Sequence, residues 1–397
     1  MMRRIVRFGR RLLAEHKLPA LAKSERARDR TTPFEDDPGI DAAVRAALDW
    51  LGRAQDHTKL GDDGVARHFS LIDGWSSSYP ETTGYVIPTL LDCSERLGDP
   101  VLSARARRML DWLVSIQFPD GGFQGGLVDA TPRVPVTFNT GQILLGLAAG
   151  ARVFGDGYRE PMRRAAEWLA TSQDADGCWR KHRTPFAKPS DKAYETHVSW
   201  GLYEAARVEP NAAWVKAANR QVRWAISKQR ANGWFAENCL NDPQHPLTHT
   251  IGYVMRGVLE AHRFTGEADF LASALRCARG AQSALAPDGR LPGRLGHNWQ
   301  EASDWVCLTG TVQIAHCWLL LSQLTGDTSL AESAYRANAF VRKTLRRNGD
   351  PGVVGGVKGS LPCDGGYLTW ELPNWAAKFF IDANLVERDV RAAPTSA

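Results

Sequence analysis

No stretch of this sequence is apolar over the roughly 18 to 20 residues that a bilayer span requires. Cysteine is sparse, with seven scattered thiols in 397 residues. An odd, unpatterned set excludes a disulfide framework and fits a reducing compartment. The opening MMRRIVRFGRRLLAEHK lacks the continuous apolar core of a signal peptide. These absences predict a cytoplasmic protein. Neither a phosphate-cradling P-loop nor a Gly-x-Gly-x-x-Gly fingerprint occurs, so no nucleotide cofactor is expected. The net charge of +5 is mild and one short basic segment is too little for nucleic acid.

What is present begins with that basic segment. Arg3, Arg4, Arg7, Arg10 and Arg11 fall among Ile5, Val6, Phe8, Leu12 and Leu13, a basic amphipathic helix pattern. Such a face is a candidate for peripheral contact with anionic lipid or a partner protein, which would make the protein membrane-associated. The plainer alternative is a solvated helix leading into a linker. Residues 23–38, KSERARDRTTPFEDDP, are charged and Pro-containing and read as a mobile connection. The expected organisation is therefore a basic helix and linker over 1–38, one body over 39–390, and a disordered tail over 391–397.

The body is repetitive, and the repeat decides the architecture. Trp50 precedes Gln55, Trp112 precedes Gln117, Trp168 precedes Gln173 and Trp224 precedes Gln229, always by five residues. Cys277 to Gln282 keeps the glutamine, and Phe340 to Leu345 keeps only the aromatic. A Gly-bearing turn follows each copy, as in PDGGF, DADGCW and ANGWF. Each unit also holds a second helical segment, such as TTGYVIPTLLDCSERLGD or TIGYVMRGVLEAHRFTGE, more apolar around its circumference than Arg-rich segments such as ARARRMLDWLVSIQ. A helix buried on most faces belongs inside and one with a charged stripe outside. Six inner and six outer helices joined alternately predict an all-α fold, a single (α/α)6 toroid of six helical hairpins.

The segment bearing Trp168, Leu169, Gln173, Gly177 and Trp179 resembles the QW-type repeat of the squalene cyclase and protein prenyltransferase toroid superfamily. The resemblance covers about residues 40–387. It implies the toroid, which hosts cyclases, prenyltransferases, glycosidases, lyases and epimerases alike. Through YPETTGYVIPTLLD and NWAAKFFIDA the chain also looks like toroid proteins of bacterial exopolysaccharide biosynthesis.

In a closed ring of hairpins the loops entering the inner helices converge on one face. Aligning the inner segments by their closing turns places Tyr85, Gln142, His197, Tyr253 and Gln313 at one level. Above it lie Glu81, His249 and Asn139; Glu195 adjoins His197, and the last unit offers Glu371, Asn374 and Lys378. Polar residues at a level that should be apolar point to a cavity, and helix N-termini there favour negative charge. The plainer role for several of them is capping. Aromatics before or within inner helices, Trp75, Tyr79, Trp200, Trp305, Trp370 and Trp375, beside carboxylates suit a saccharide, although they would also line a terpene pocket.

Glycoside hydrolysis needs two carboxyl groups across the scissile bond, and Glu81, Glu195, Asp304 and Glu371 are the available acids. A lyase or uronyl epimerase needs a Tyr or His to move a proton, for which Tyr85, Tyr253, His197 and His249 are candidates. The expected function is thus carbohydrate-directed catalysis on a saccharide held in the toroid cavity. The alternatives are a terpene cyclase or prenyltransferase-like enzyme and a non-catalytic polysaccharide-binding or scaffold protein. An Asp-x-Asp-Asp acid, which the cyclase would use, is missing. Asp304, Cys307, His316 and Cys317 depart from the prenyltransferase zinc spacing, and no metal is expected.

Overall fold

The computed structural model describes residues 17–393 except 186 and 189. The expected basic helix within 1–16 and most of the expected tail, 394–397, lie outside the described residues. Helix α1 (Ala20–Thr31) is followed by the outer helix α2 (Ile40–Asp56) and then by alternating inner and outer helices. The inner ones are α3 (Pro80–Leu97), α5 (Thr137–Phe154), α7 (Thr196–Val208), α9 (Thr248–Thr265), α11 (Leu308–Thr325) and α13 (Asn374–Ala392). The outer ones are α4 (Pro100–Ile116), α6 (Arg159–Ser172), α8 (Ala212–Ser227), α10 (Ala268–Ser283) and α12 (Thr328–Arg342). Each inner helix packs on the next, and α13 returns to α3, so the ring closes as an (α/α)6 toroid. Closure joins the two ends of the sequence of helices, because α2 packs against α13.

Helix starts follow local chemistry. Asp99 accepts from Val101 N ahead of α4, Asn211 from Ala213 N ahead of α8, and Asp327 from Ser329 N ahead of α12. Inner helices approach one another at glycine. A Cβ on Gly84 would stand 2.4 Å from Ile143 Cα, and one on Gly201 2.4 Å from the Gly141 carbonyl. Larger residues there would force the ring apart.

The repeat motif acts as a clasp. Gln173 Nε2 donates to Gly177 O of its own turn (2.9 Å) and to Ala217 O of the next outer helix (2.8 Å). Gln117 and Gln229 repeat this pairing with Gly121 and Pro161, and with Gly233 and Ser273. Trp168 Nε1 reaches back to Asp120 of the preceding turn (3.0 Å). Gly177 has φ +98°, and its missing Cβ leaves room for the Arg220 carbonyl. Across the ring closure, Trp50 Nε1 donates to Gly352 O (2.7 Å).

Two short sheets sit among the loops. In one, β1 (His68–Ser70) lies between β2 (Gly74–Trp75) and β5 (Glu371–Pro373); in the other, β3 (Val306–Cys307) pairs with β4 (Ser360–Leu361), and all pairings are antiparallel. The segment expected to be a mobile connection instead contains α1, which is pinned to the last loop. Lys358 Nζ, itself buried, lies 2.8 Å from Glu25, and Asp29 pairs with Lys358 and accepts from Cys363 N. The glycine-rich loop 349–366 is held down by these contacts.

Candidate active site

The N-terminal ends of the inner helices surround a cavity of about 220 Å³. Glu81 enters it from the first turn of α3, beside Tyr79; Phe138 and Asn139 from α5; His249, Thr250 and Tyr253 from α9; and Trp375 from α13. Arg67, Tyr194, Tyr367 and Leu368 reach it from loops that precede inner helices. The wall is aromatic: Phe138 stands edge-on to Tyr194 (5.3 Å between centroids) and to Tyr253 (5.2 Å).

Glu81 is the one carboxylate among the described residues lining this space. Burial pushes its carboxyl up to about 7, while the Tyr79 hydroxyl and the Arg67 charge pull it the other way. Near neutrality it is therefore divided between its protonated and ionised forms, where an unperturbed carboxyl would be fully ionised. His249 is neutral, because burial lowers it to about 4 against an opposing hydrogen bond to Gln313. That contact joins Nδ1 to Gln313 Oε1 at 2.6 Å. With the amide oxygen as acceptor, Nδ1 carries the proton and Nε2 keeps a lone pair. One wall thus offers an acid and another a base, the pairing that proton transfer requires.

Beneath the cavity lies a floor made by the predicted polar level. His197 Nδ1 meets Gln142 Oε1 at 2.6 Å, and its ring stands 4.6 Å from Tyr253. Tyr85 packs on Phe379 at 5.4 Å. Gln142 Nε2 and His197 Nε2 are buried without a hydrogen-bond partner, while the Tyr85 hydroxyl meets that of Tyr253 and the Asn139 amide meets the Tyr79 hydroxyl. Burial, with Arg256, Lys378 and His249 nearby, keeps His197 neutral.

Of the predicted residues, Glu81, His249, Tyr79, Asn139, Tyr253 and Trp375 line the cavity, and Tyr85, Gln142, His197 and Gln313 support it. Glu195 lies alongside, in the short 3-10 turn Ala193–Glu195 next to Tyr194; burial raises it to about 8 despite Arg183 and Lys192. Glu371 sits at the mouth, bound to Arg67 (2.8 Å), whose guanidinium covers Trp375 at 5.4 Å. Asn374 donates to Ala66 O and Thr82 Oγ1 and is a structural tie.

Others belong elsewhere. Asp304 is exposed, because α11 starts four residues later, at Leu308, and leaves it outside the ring. Trp75 packs outward with Trp50 and Phe69. Trp370 meets Arg26 of α1, and Trp305 lies near Arg294. Trp200 and Lys378 face a separate cavity at the opposite end of the barrel. Arg67, Tyr194, Tyr367 and Leu368 escaped the sequence reading because they stand on aperiodic loops. Phe138 sits beside Asn139 at a helix start and was within its reach. Cys307 accepts from Gly310 N as a cap, and no group of three or more His, Cys, Asp or Glu among the described residues is placed to hold a metal.

The squalene-hopene cyclase C-terminal domain family matches residues 79–259. No curated protein matches the sequence. Solved structures share the fold. An unsaturated glucuronyl hydrolase specific for heparin superposes with TM-score 0.70 at 18% identity, covering 90% of this chain and 99% of its own. Cellobiose 2-epimerase from Bacillus thermoamylovorans gives 0.67 at 11%, covering 88% and 98%. A D-mannose isomerase gives 0.69 at 11%, covering 88% and 97%.

Proposed function

We propose that this toroid is a carbohydrate-active enzyme that moves a proton to or from a carbon of a saccharide, with Glu81 as acid and His249 as base. The observation that carries this reading is one cavity lined by a carboxyl that burial raises to about 7 and by a neutral imidazole whose Nδ1 is occupied by Gln313. Two-carboxylate glycoside hydrolysis is less well served, since Glu81 stands without a second carboxylate in the described wall. At about 220 Å³ the cavity is below the ~300–1,000 Å³ of sites for drug-sized ligands and suits one sugar ring. Trp375 and Tyr79 give that ring an apolar face to lie on, and Arg67 at the mouth suits an acidic or hydroxyl-rich neighbouring unit. Bacterial exopolysaccharide biosynthesis is the setting that the sequence resemblance favours.

The family match over 79–259 favours a second reading, protonation of an isoprenoid by Glu81 among the aromatic rings. The cavity volume weighs against a long isoprenoid chain. The substrates named for the similar structures provide the test. Cellobiose, mannose and an unsaturated glucuronyl disaccharide would each be incubated with the protein in D2O and followed by NMR. Epimerisation or isomerisation next to a carbonyl, and hydration of an unsaturated uronide, all place solvent deuterium on carbon. Carbon-bound deuterium that disappears in Glu81→Gln supports the proposal. Exchange into none of the three, with turnover of a prenyl diphosphate instead, overturns it.

A further inference from the structure

We propose that the toroid carries a second binding site, for a small neutral polyhydroxylated ligand such as a sugar unit, in the cavity at the C-terminal ends of the inner helices. This cavity measures about 320 Å³. Asp92 of α3, which lines it, lies about 16 Å along the helix from Glu81. Only the floor of Tyr85, Gln142, His197 and Tyr253 separates the two spaces, and the His197 ring stands edge-on to Trp200 of the lower one at 5.0 Å.

Its walls pair cations with carboxylates, Arg256 and Lys378 in the interior and Arg152 at the exposed rim. Arg256 Nε lies 2.7 Å from Glu260, Lys378 pairs with Asp382, and Arg152 lies 2.6 Å from Glu204. The Arg256 guanidinium also stacks 4.3 Å above Trp200 and contacts His316, which burial and the Arg256 and Lys378 charges keep neutral. Buried ion pairs contribute little net stability compared with apolar packing, so the two interior pairs, Arg256–Glu260 and Lys378–Asp382, facing one open space call for a role other than holding the fold. An anion drawn to Arg256 or Lys378 would meet Glu260 or Asp382 at once, and a cation would meet the reverse. A hydroxyl both donates and accepts. Vicinal hydroxyls therefore match walls of alternating sign, while Leu145 and Leu320 supply apolar surface for the C–H face of a ring. This site does not depend on the catalytic reading of the upper cavity.

Imidazole NMR separates the two cavities, because His316 lines the lower one and His249 the upper one. The full-length protein would be titrated with glucose and cellobiose, and in parallel with glucuronate, inorganic phosphate and glutamine. The expected result is saturable movement of the His316 resonances by a neutral sugar, weakened roughly tenfold or more in Val386→Trp, which fills the rim, and in Glu204→Gln, which removes a rim acceptor. The His249 resonances of each variant report that the ring is intact. Three results overturn the proposal: no neutral sugar moves His316; only phosphate, glucuronate or glutamine does; or the sugar response survives both variants. Failure of the catalytic reading would register separately, as missing deuterium exchange.

Discussion

The repeat turns and the inner-ring level are built from similar residues to opposite ends. In the turns, Gln117, Gln173 and Gln229 each give their amide protons to a carbonyl of their own turn and to one of the next outer helix. At the inner level, Gln142 Nε2 is buried without a partner, as is His197 Nε2. An unmet buried polar group costs about 1–3 kcal/mol. A chain that satisfies its glutamines so regularly outside has the means to do so inside. The difference separates a face whose polar groups tie the repeats together from one whose polar groups face the cavity to which the proposed chemistry belongs.

The largest expected effect that would break this division comes from Glu81→Gln. It should cut turnover by about 10²–10⁴-fold, the usual worth of a general acid, in a protein that still unfolds cooperatively; deuterium incorporation and thermal unfolding measure the two. The converse, Gln173→Ala, should lower stability by about 2 kcal/mol in denaturant titrations, since it frees two carbonyls, and leave activity per folded molecule intact. A pH series sharpens the contrast. Turnover should fall as pH rises through about 7, where Glu81 loses its proton, and as it falls through about 4, where His249 gains one.

Stability should follow the same groups. Glu81 is raised in the folded state, so its contribution is complete below its ordinary value of 4.5 and lost as pH rises through about 7. His249 is lowered, so its contribution is complete above 6.5 and lost as pH falls through about 4. In Glu81→Gln the first dependence should vanish from unfolding curves recorded between those limits. The smallest effect is expected from Asp304→Asn, at an exposed position outside the ring, which should move activity and stability by less than about 0.5 kcal/mol.

The toroid was legible because its clasps recur at a fixed offset. Trp168 and Gln173 mark an outer helix and the turn after it, and counting them leaves the inner helices by subtraction. The level of Tyr85, Gln142, His197 and Tyr253 followed from helical phase alone. The loops had no such ruler. Arg67 meets Glu371 across 304 residues of sequence, and no local pattern announces that pairing. Tryptophan misled for a related reason: Trp75 and Trp375 are both large rings near an inner-helix start, yet a short strand turns the first outward to Trp50 and Phe69. Lys378 lies one turn below Asn374, enough to move it through the floor and into the lower cavity.

The closure of the ring by α2 and α13 has a consequence for the order of events during synthesis. The hairpins from α3 to α12 can stack on one another as they leave the ribosome, each meeting a neighbour already made. Helix α2 meets α4 early, through Gln55 and Asp56 with Arg105, but its Trp50 lacks the Gly352 carbonyl until some 300 residues later. Until α13 arrives, the nascent chain is a curved stack with an open edge, and the wall carrying Trp375 does not exist. The walls from α3, α5 and α9 accumulate one hairpin at a time, and the final helix closes the cavity.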